Sequence, residues 1–239
     1  MQLRVLTWNL MHGRSQPPAG RELLDEFAAA LAGWEWDVAL LQEVPPWWPQ
    51  ALGRALDAEY RLVRTSRNGL LPLRRAIATR WPDVIRSNGG GANAILARRD
   101  RIVAHRTLRL RRLPEQRFAH AVRLACGIWA SNLHASAGNE ARARGDGLLF
   151  AAGSLTWAGG EPLVLGGDFN LRGPEFDGLQ RVGGRDVDHI FVAPGLVPAQ
   201  PAEVLDRGTL SDHPPVAATL ISRGPLAGRS RGASEAPSR

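Results

Sequence analysis

The chain has 239 residues, 44% of them hydrophobic, and a formal charge of +7. That length suits one large domain, and no uninterrupted apolar run approaches the roughly 20 residues of a membrane span, which argues against a membrane-spanning protein. All 30 basic residues are arginine, a bias that looks genomic, yet residues 54–123 hold 17 of them against five acids, a balance of +12 where the remainder carries −5.

Residues 3–10, "LRVLTWNL", alternate as a strand that ends near Asn9. The first residues lack the charged start, apolar core and cleavage site of a secretory signal, so a cytoplasmic location is the default expectation. In "RELLDEFAAALAGW", Leu23, Leu24, Phe27, Ala28 and Leu31 share one helical stripe. A strand over 37–43 ends in Glu43, and "EVPPWWPQALGRAL" then predicts a short helix, because proline is tolerated at a helix start. Trp47 and Trp48 there either pack or stack on bases. Further strands are predicted over 76–80, 94–98, 102–110 and 119–134, with "SNGGGAN" (87–93) as a flexible loop. Cys126, the only cysteine, falls in the last of these runs and reads as a buried strand thiol; no internal disulfide is possible. "NEARARGDGLLFAAGSLTWAG" predicts a helix, and strands over 163–167, 187–193 and 216–221 follow. Residues 222–239 have little that could pack and read as a disordered tail, which leaves one domain over residues 1–221. Strands with helices between them predict an α/β or α+β sheet protein.

Several of these strands end in, or run straight into, a chemically capable polar residue: Asn9 in "LTWNL", Glu43 in "LLQEV", His134 in "SNLHAS", Asp168 and Asn170 in "GGDFN", Asp188 in "DVDHIFV", and Asp212 with His213 in "LSDHPPV". Any one alone has a structural explanation, such as a turn, a cap or a core histidine. Sheets gather strand ends along an edge, however, so the set can converge on one cleft. Glu43, Asp168 and Asp212 are hard oxygen donors, with Asn9 and Asn170 as neutral ones, a set that suits Mg²⁺ or Mn²⁺ and not zinc. His134 and His213 can handle protons near neutral pH. Carboxylates, a hard divalent cation and histidine beside a basic face describe phosphate ester hydrolysis.

In order and spacing, "TWN", "LLQEV", "NLHAS", "GGDFN", "DVDHIFV" and "SDHPPV" resemble the endonuclease/exonuclease/phosphatase superfamily, the deoxyribonuclease-like fold, from about Leu3 to Leu220. The resemblance implies a four-layered α/β/β/α sandwich in which two mixed β-sheets pack face to face under outer helices. It makes Glu43 the principal metal ligand, with Asn9 and Asp212 lining the metal site. Asn170 holds the scissile phosphate, and Asp168 positions or deprotonates the attacking water. His213 contacts the phosphate or acts as base, Asp188 fixes its tautomer, and His134 stands near the leaving group. Whether Asp168 or His213 is the base stays open at this level.

The chain also departs from subgroups of that family. Nucleases resembling the pancreatic enzyme pair the His134 position with a glutamate on an earlier strand, but between Tyr60 and Arg99 the only acid is Asp83. The tyrosine usual near "SNLHAS" in abasic-site repair enzymes is absent, as is the Trp-Cys-Asp-Arg run of inositol phosphatases. The expected activity is a Mg²⁺- or Mn²⁺-dependent phosphodiester hydrolase, in first place a nuclease whose nucleic-acid substrate is held by arginines of residues 54–123, Arg98 and Arg99 among them. A phosphodiesterase or phosphatase on a small-molecule or lipid ester is the alternative, and no protein partner is inferable.

Overall fold

The structure, a computed structural model, describes residues 1–65, 68–83 and 91–222. Two parallel strand pairs, each closed by a helical crossover, set its architecture. The first joins β1 (Gln2–Asn9) to β2 (Val38–Val44) through α1 (Leu24–Gly33), and the second joins β7 (Trp129–His134) to β8 (Leu163–Asp168) through α4 (Glu140–Ala158). Parallel neighbours need such a crossover, and its helix packs back onto the sheet. Antiparallel strands extend both pairs. In the first sheet β13 (Val216–Ser222) flanks β1, with β11 (Leu196–Pro198) and β12 (Glu203–Val204) beyond it, while β4 (Ala92–Ala97) and β3 (Glu59–Arg64) follow β2. In the second, β6 (Arg117–Leu124) and β5 (Ile102–Arg111) flank β7, and β10 (Asp188–Val192) and β9 (Gln180–Arg185) flank β8.

Strand alternation divides the apolar residues into three cores. Val5, Leu40, Ile95, Val122, Val164 and Ile190 fill the space between the sheets. Trp8, Leu41 and Leu96 turn outward instead, against Phe27 and Leu31 of α1 and against Trp48 and Leu52 of α2 (Trp48–Ala55). On the other outer face Phe150 of α4 packs with Leu165, Phe169 and Phe191. Two mixed sheets therefore lie face to face with helices outside them, as the resemblance implied. The cap of α4 comes from Asn139, whose side chain accepts from the Arg142 N–H at 2.9 Å.

A polar contact in the middle of the interface ties the sheets together. Gln42 Nε2 donates to Asn132 Oδ1 at 2.7 Å, and Asn132 Nδ2 donates to the carbonyls of Leu41 and Ala94 at 2.9 Å each. Both side chains are fully buried, so this pairing fixes the lateral register of β7 on β2: any slip strands amides that water cannot reach.

Three local expectations change. Residues 76–80 are the second half of a helix, α3 (Leu71–Arg80), because Pro72 starts a turn and the following Leu73, Arg74 and Arg75 favour helix over strand. The run 119–134 is two strands joined by a hairpin, in which Gly127 adopts φ 89° and the Leu124 N–H donates to the Ile128 carbonyl at 2.8 Å. Cys126 therefore sits in a turn, half-buried, where burial and then Asp100 push its thiol up to about 11. Ser222 closes β13; residues 223–239, the rest of the expected tail, and Ser87 to Gly90 of "SNGGGAN" lie outside the described residues. Among the described residues, no helix is long and apolar enough to cross a membrane.

Candidate active site

The two parallel pairs stack, β2 over β7 and β1 over β8, so their four carboxyl ends meet at one rim. Asn9, His134 and Asp168 are the last residues of β1, β7 and β8, and Glu43 is the penultimate residue of β2. In sheets with parallel strands this is the end at which crossover loops leave room for a ligand. The antiparallel neighbour β10 runs the other way and contributes its first residue, Asp188, directly opposite Asp168.

Local backbone devices aim these side chains. Gln42 and Glu43 together oppose a single residue of β4, Asn93, since Leu41 pairs with Ala94 and Val44 with Ala92. Glu43 takes a left-handed φ of 49° in this bulge, which frees it from the alternation that buries Gln42 between the sheets. Gly167 has φ 143°, and a Cβ there would fall 2.0 Å from the Leu133 carbonyl oxygen; the second glycine of "GGDFN" lets β8 lie against β7 at the level of the rim. Met11 (48°), His12 (55°), Asn170 (50°) and Ser211 (61°) are also left-handed, so the loops around the rim store strain that the surrounding packing holds.

Asp168 is the most tightly held group. Its Oδ2 accepts from Asn9 Nδ2 at 3.0 Å and its Oδ1 from the Asn170 N–H at 2.9 Å, while His134 Nε2 lies 3.5 Å from Oδ2. Asn9 Oδ1 accepts from the Met11 N–H at 2.9 Å, so the Asn9 amide is oriented from both sides. Asn170 Nδ2 donates to the Ala135 carbonyl at 3.1 Å. Glu43 places Oε1 3.7 Å from His134 Nε2 and Oε2 3.2 Å from His12 Nε2. His213 Nδ1 and Asp188 Oδ2 are 2.7 Å apart, and Asp188 is buried. The loop carrying His213 is pinned by Trp8 Nε1 on the His213 carbonyl at 2.9 Å and by Ser211 Oγ on the Asn9 carbonyl at 2.6 Å. Asp212 is exposed beside it, 3.8 Å from His213 Nε2.

Burial raises the carboxyl groups of Glu43 and Asp168 above their usual range, and like charges add to it: Asp212 acts on Glu43, and Glu43 on Asp168. His213 moves oppositely. Burial disfavours its charge, but the hydrogen bond to Asp188 and the fields of Asp188, Asp168 and Asp212 outweigh that and raise it to about 9. Asp188 is lifted by burial to about 6 against the His213 bond, so the pair is carboxylate and imidazolium at neutral pH. His134 is held well below 6.5 by burial, then by the charges of Arg117, His12 and His213, and is a neutral ring.

Carboxylates that crowd one another fit a hard divalent cation, whose charge relieves the repulsion. Among the described residues, Asp168, Asp188 and His213 offer ligand atoms within 4.8 Å of one another. Asp188 and His213 already satisfy each other at 2.7 Å, however, and Glu43, with Oε1 3.7 Å from His134 Nε2, lies outside that cluster.

Eight of the ten sequence-derived site residues gather at this rim; Arg98 and Arg99 do not. They follow β4 at its far end, where Ala97 pairs with Val38, roughly 20 Å along the sheet from the Glu43 bulge. Arg98 stacks 3.8 Å over the Trp36 ring and donates to the Leu56 carbonyl at 3.2 Å, and Arg99 lies 3.7 Å from Asp37. Arg98 is thereby engaged in the fold, whereas Arg99 keeps its side chain 70% exposed. Two residues at the rim had no role from sequence. His12 touches Glu43, and Arg117 opens β6 beside the end of β7, where its charge bears on both Glu43 and His134. Antiparallel pairing puts Arg117 there, buried and bonded to Glu115 at 2.6 Å, and no local motif announces it.

Comparison with known proteins finds a model described as the Endonuclease/Exonuclease/phosphatase family matching residues 6–213. Solved structures share the fold. An endonuclease/exonuclease/phosphatase from Bacteroides vulgatus has a TM-score of 0.69 at 18% identity, covering 93% of this chain and 100% of that one. A mannosyl-6-phosphatase from Bacteroides thetaiotaomicron has 0.68 at 17%, covering 92% and 99%. TDP2 from Caenorhabditis elegans has 0.64 at 14%, covering 93% and 76%. No curated protein sequence matches the chain.

Proposed function

Since this chain belongs to the endonuclease/exonuclease/phosphatase family, we propose that it is a divalent-metal-dependent phosphodiester hydrolase and that its substrate is a nucleic acid. The observation that carries this reading is the convergence of Glu43, Asp168 and the Asp188–His213 pair on one rim. Glu43 and Asp212, with Asn9 lining the site, would hold Mg²⁺ or Mn²⁺, which would supply charge neutralisation at the phosphoryl oxygens when bound.

The protein's own groups divide the remaining work. Asp168, its carboxylate plane fixed by Asn9 and by the Asn170 N–H, orients the attacking water and takes its proton. Asn170 stands at the same lip to receive the phosphate. His213 has Nδ1 committed to Asp188, which leaves Nε2 to meet a phosphoryl oxygen. Arg117 adds a fixed positive charge near Glu43 and His134, and His134 faces the leaving-group side as a neutral ring.

A phosphate ester of a sugar is the second reading, favoured by the mannosyl-6-phosphatase that shares the fold. The deciding experiment incubates the purified protein with Mg²⁺ or Mn²⁺ and, in turn, single-stranded DNA, plasmid, RNA, bis(p-nitrophenyl) phosphate and mannose 6-phosphate. Diester turnover that vanishes in chelator and falls at least about 100-fold in Glu43→Gln is expected. Undiminished turnover in that variant would sink the metal assignment, and turnover of mannose 6-phosphate alone would replace the nucleic acid by the sugar ester.

A further inference from the structure

We propose that a groove between α2 and α3 binds single-stranded nucleic acid and leads it to the catalytic rim; this rests on the hydrolase reading above and specifies the form of its substrate. The groove has a volume of about 980 Å³, at the upper end of ligand-binding cavities. Arg54, Arg64, Arg75 and Arg80 line it, and the one acid among its walls is Glu22. Glu22 is already engaged, since its Oε1 accepts from Trp47 Nε1 at 3.3 Å and from Trp48 Nε1 at 3.0 Å. Among the described residues the side chains of the four arginines form no ion pair and donate no hydrogen bond, and Arg80 alone has a ring contact, 5.5 Å over Trp81. Four guanidinium groups around one cavity repel one another, and an anionic chain is what relieves them.

A neighbouring pocket shows that the charge is not simply arginine abundance. It is lined by Arg54, Arg99 and Arg101 but also by Asp57, Glu59 and Asp100, so its charges balance. The α2–α3 groove, by contrast, sets four arginines against one engaged acid.

Position and shape name the occupant. Pro46, three residues beyond Glu43, lines the groove, and Arg64 pairs with Ala92, the residue that also pairs with Val44. One end of the groove thus adjoins the strand edge that carries Glu43, and α2 runs back from there to Arg54. Trp47, half-buried in the wall and tethered through its indole nitrogen, offers an aromatic surface to a base. In a duplex the base faces are covered by their neighbours, so a combination of stacking surface and arginines fits an unpaired strand.

The test uses the full-length protein and a fluorescein-labelled oligothymidylate of about 12 nucleotides, in chelator so that nothing is cleaved, with binding read by anisotropy from about 50 to 200 mM salt. Affinity should fall steeply with salt. In Arg75→Ala/Arg80→Ala the logarithmic slope should be shallower by about 1.4 and low-salt binding weaker by roughly tenfold, with the thermal midpoint unchanged because both side chains are exposed. An unchanged slope in that variant, or equal affinity for a matching duplex or for polyglutamate, overturns the proposal. Hydrolysis of bis(p-nitrophenyl) phosphate by the unmodified protein is scored separately. Absence of turnover on it and on the nucleic acids above refutes the diester hydrolase reading, whereas the binding data judge the groove alone.

Discussion

Asp188 illustrates how one carboxylate controls a neighbour's chemistry. Buried at the start of β10, it bonds His213 Nδ1 at 2.7 Å, and so it decides both the tautomer and the charge of that ring. An amide in its place keeps the shape and loses the charge. Asp188→Asn should therefore lower kcat by about 100-fold or more, by analogy with other oriented acid–imidazole pairs. Because the two residues act as one unit, adding Asp188→Asn to His213→Ala should cost little beyond His213→Ala alone. Steady-state kinetics on bis(p-nitrophenyl) phosphate decide it: losses that multiply would show independent roles. Asp188 and His213 were both legible in the sequence as polar residues in apolar company, but their contact was not, since 24 positions separate them.

At the scale of elements, the carboxyl ends of β7 and β8 depend on how closely the two strands approach. Gly167 is the point of tightest contact, with a virtual Cβ 2.0 Å from the Leu133 carbonyl and a φ of 143°. Gly167→Ala must push backbone against backbone, so it should destabilise the fold by about 3 kcal/mol or more and displace Asp168 from His134. Urea unfolding measures the first effect and kcat the second. A midpoint within error of the unmodified protein would show that the strands can part without cost. By contrast Gly166→Ala meets the His189 carbonyl at 3.0 Å and the Leu40 side chain at 3.1 Å, so the cost there should be smaller. The bulge in β2 makes a related point: "LLQEV" reads as an ordinary alternating strand, and only pairing with β4 shows that two of its residues share one partner.

For the whole molecule, the space between the sheets sets a pH dependence. His120 shares its face of β6 with Val122, is fully buried, and has His105 Nε2 at 3.3 Å from its Nδ1. Burial, then the charge of His105, holds its pKa well below 6.5. The folded ring stays neutral while the unfolded one takes a proton below about 6.5, so its contribution to stability is complete above that pH and is lost as pH falls. Between about pH 6 and 5 this amounts to at most ~1.4 kcal/mol per pH unit. The unfolding free energy of His120→Leu, measured by urea from pH 8 to about 5, should fall less steeply than that of the unmodified protein. Parallel curves would show that His120 is protonated in the fold. His105, also lowered by burial, adds with the same sign, while His213 at the rim has the reverse one: its raised pKa gives stability that is full below about 6.5 and lost as pH rises through about 9, which is why the comparison is made between variants.

The sequence by itself determined the strand ends and what they carry. Period-2 alternation, glycine-bounded turns and hard-donor chemistry are local properties, and they sufficed to mark Asn9, Glu43, His134, Asp168, Asn170, Asp188, Asp212 and His213. α1 was equally readable because its apolar stripe faces a sheet, and α4 from its helical spacing although Asp146 and Ser154 share its buried face with Phe150; α3 was mistaken for a strand because none of its residues is buried and no stripe announces it. Tertiary structure alone decided what charge was for. An arginine's role depends on which carboxylates and carbonyls surround it, and those come from distant segments: Arg98 is spent on Trp36 and Leu56, and Arg117 is delivered to the rim by pairing with β7. Arg54, Arg64, Arg75 and Arg80 meet only because α3 folds beside α2.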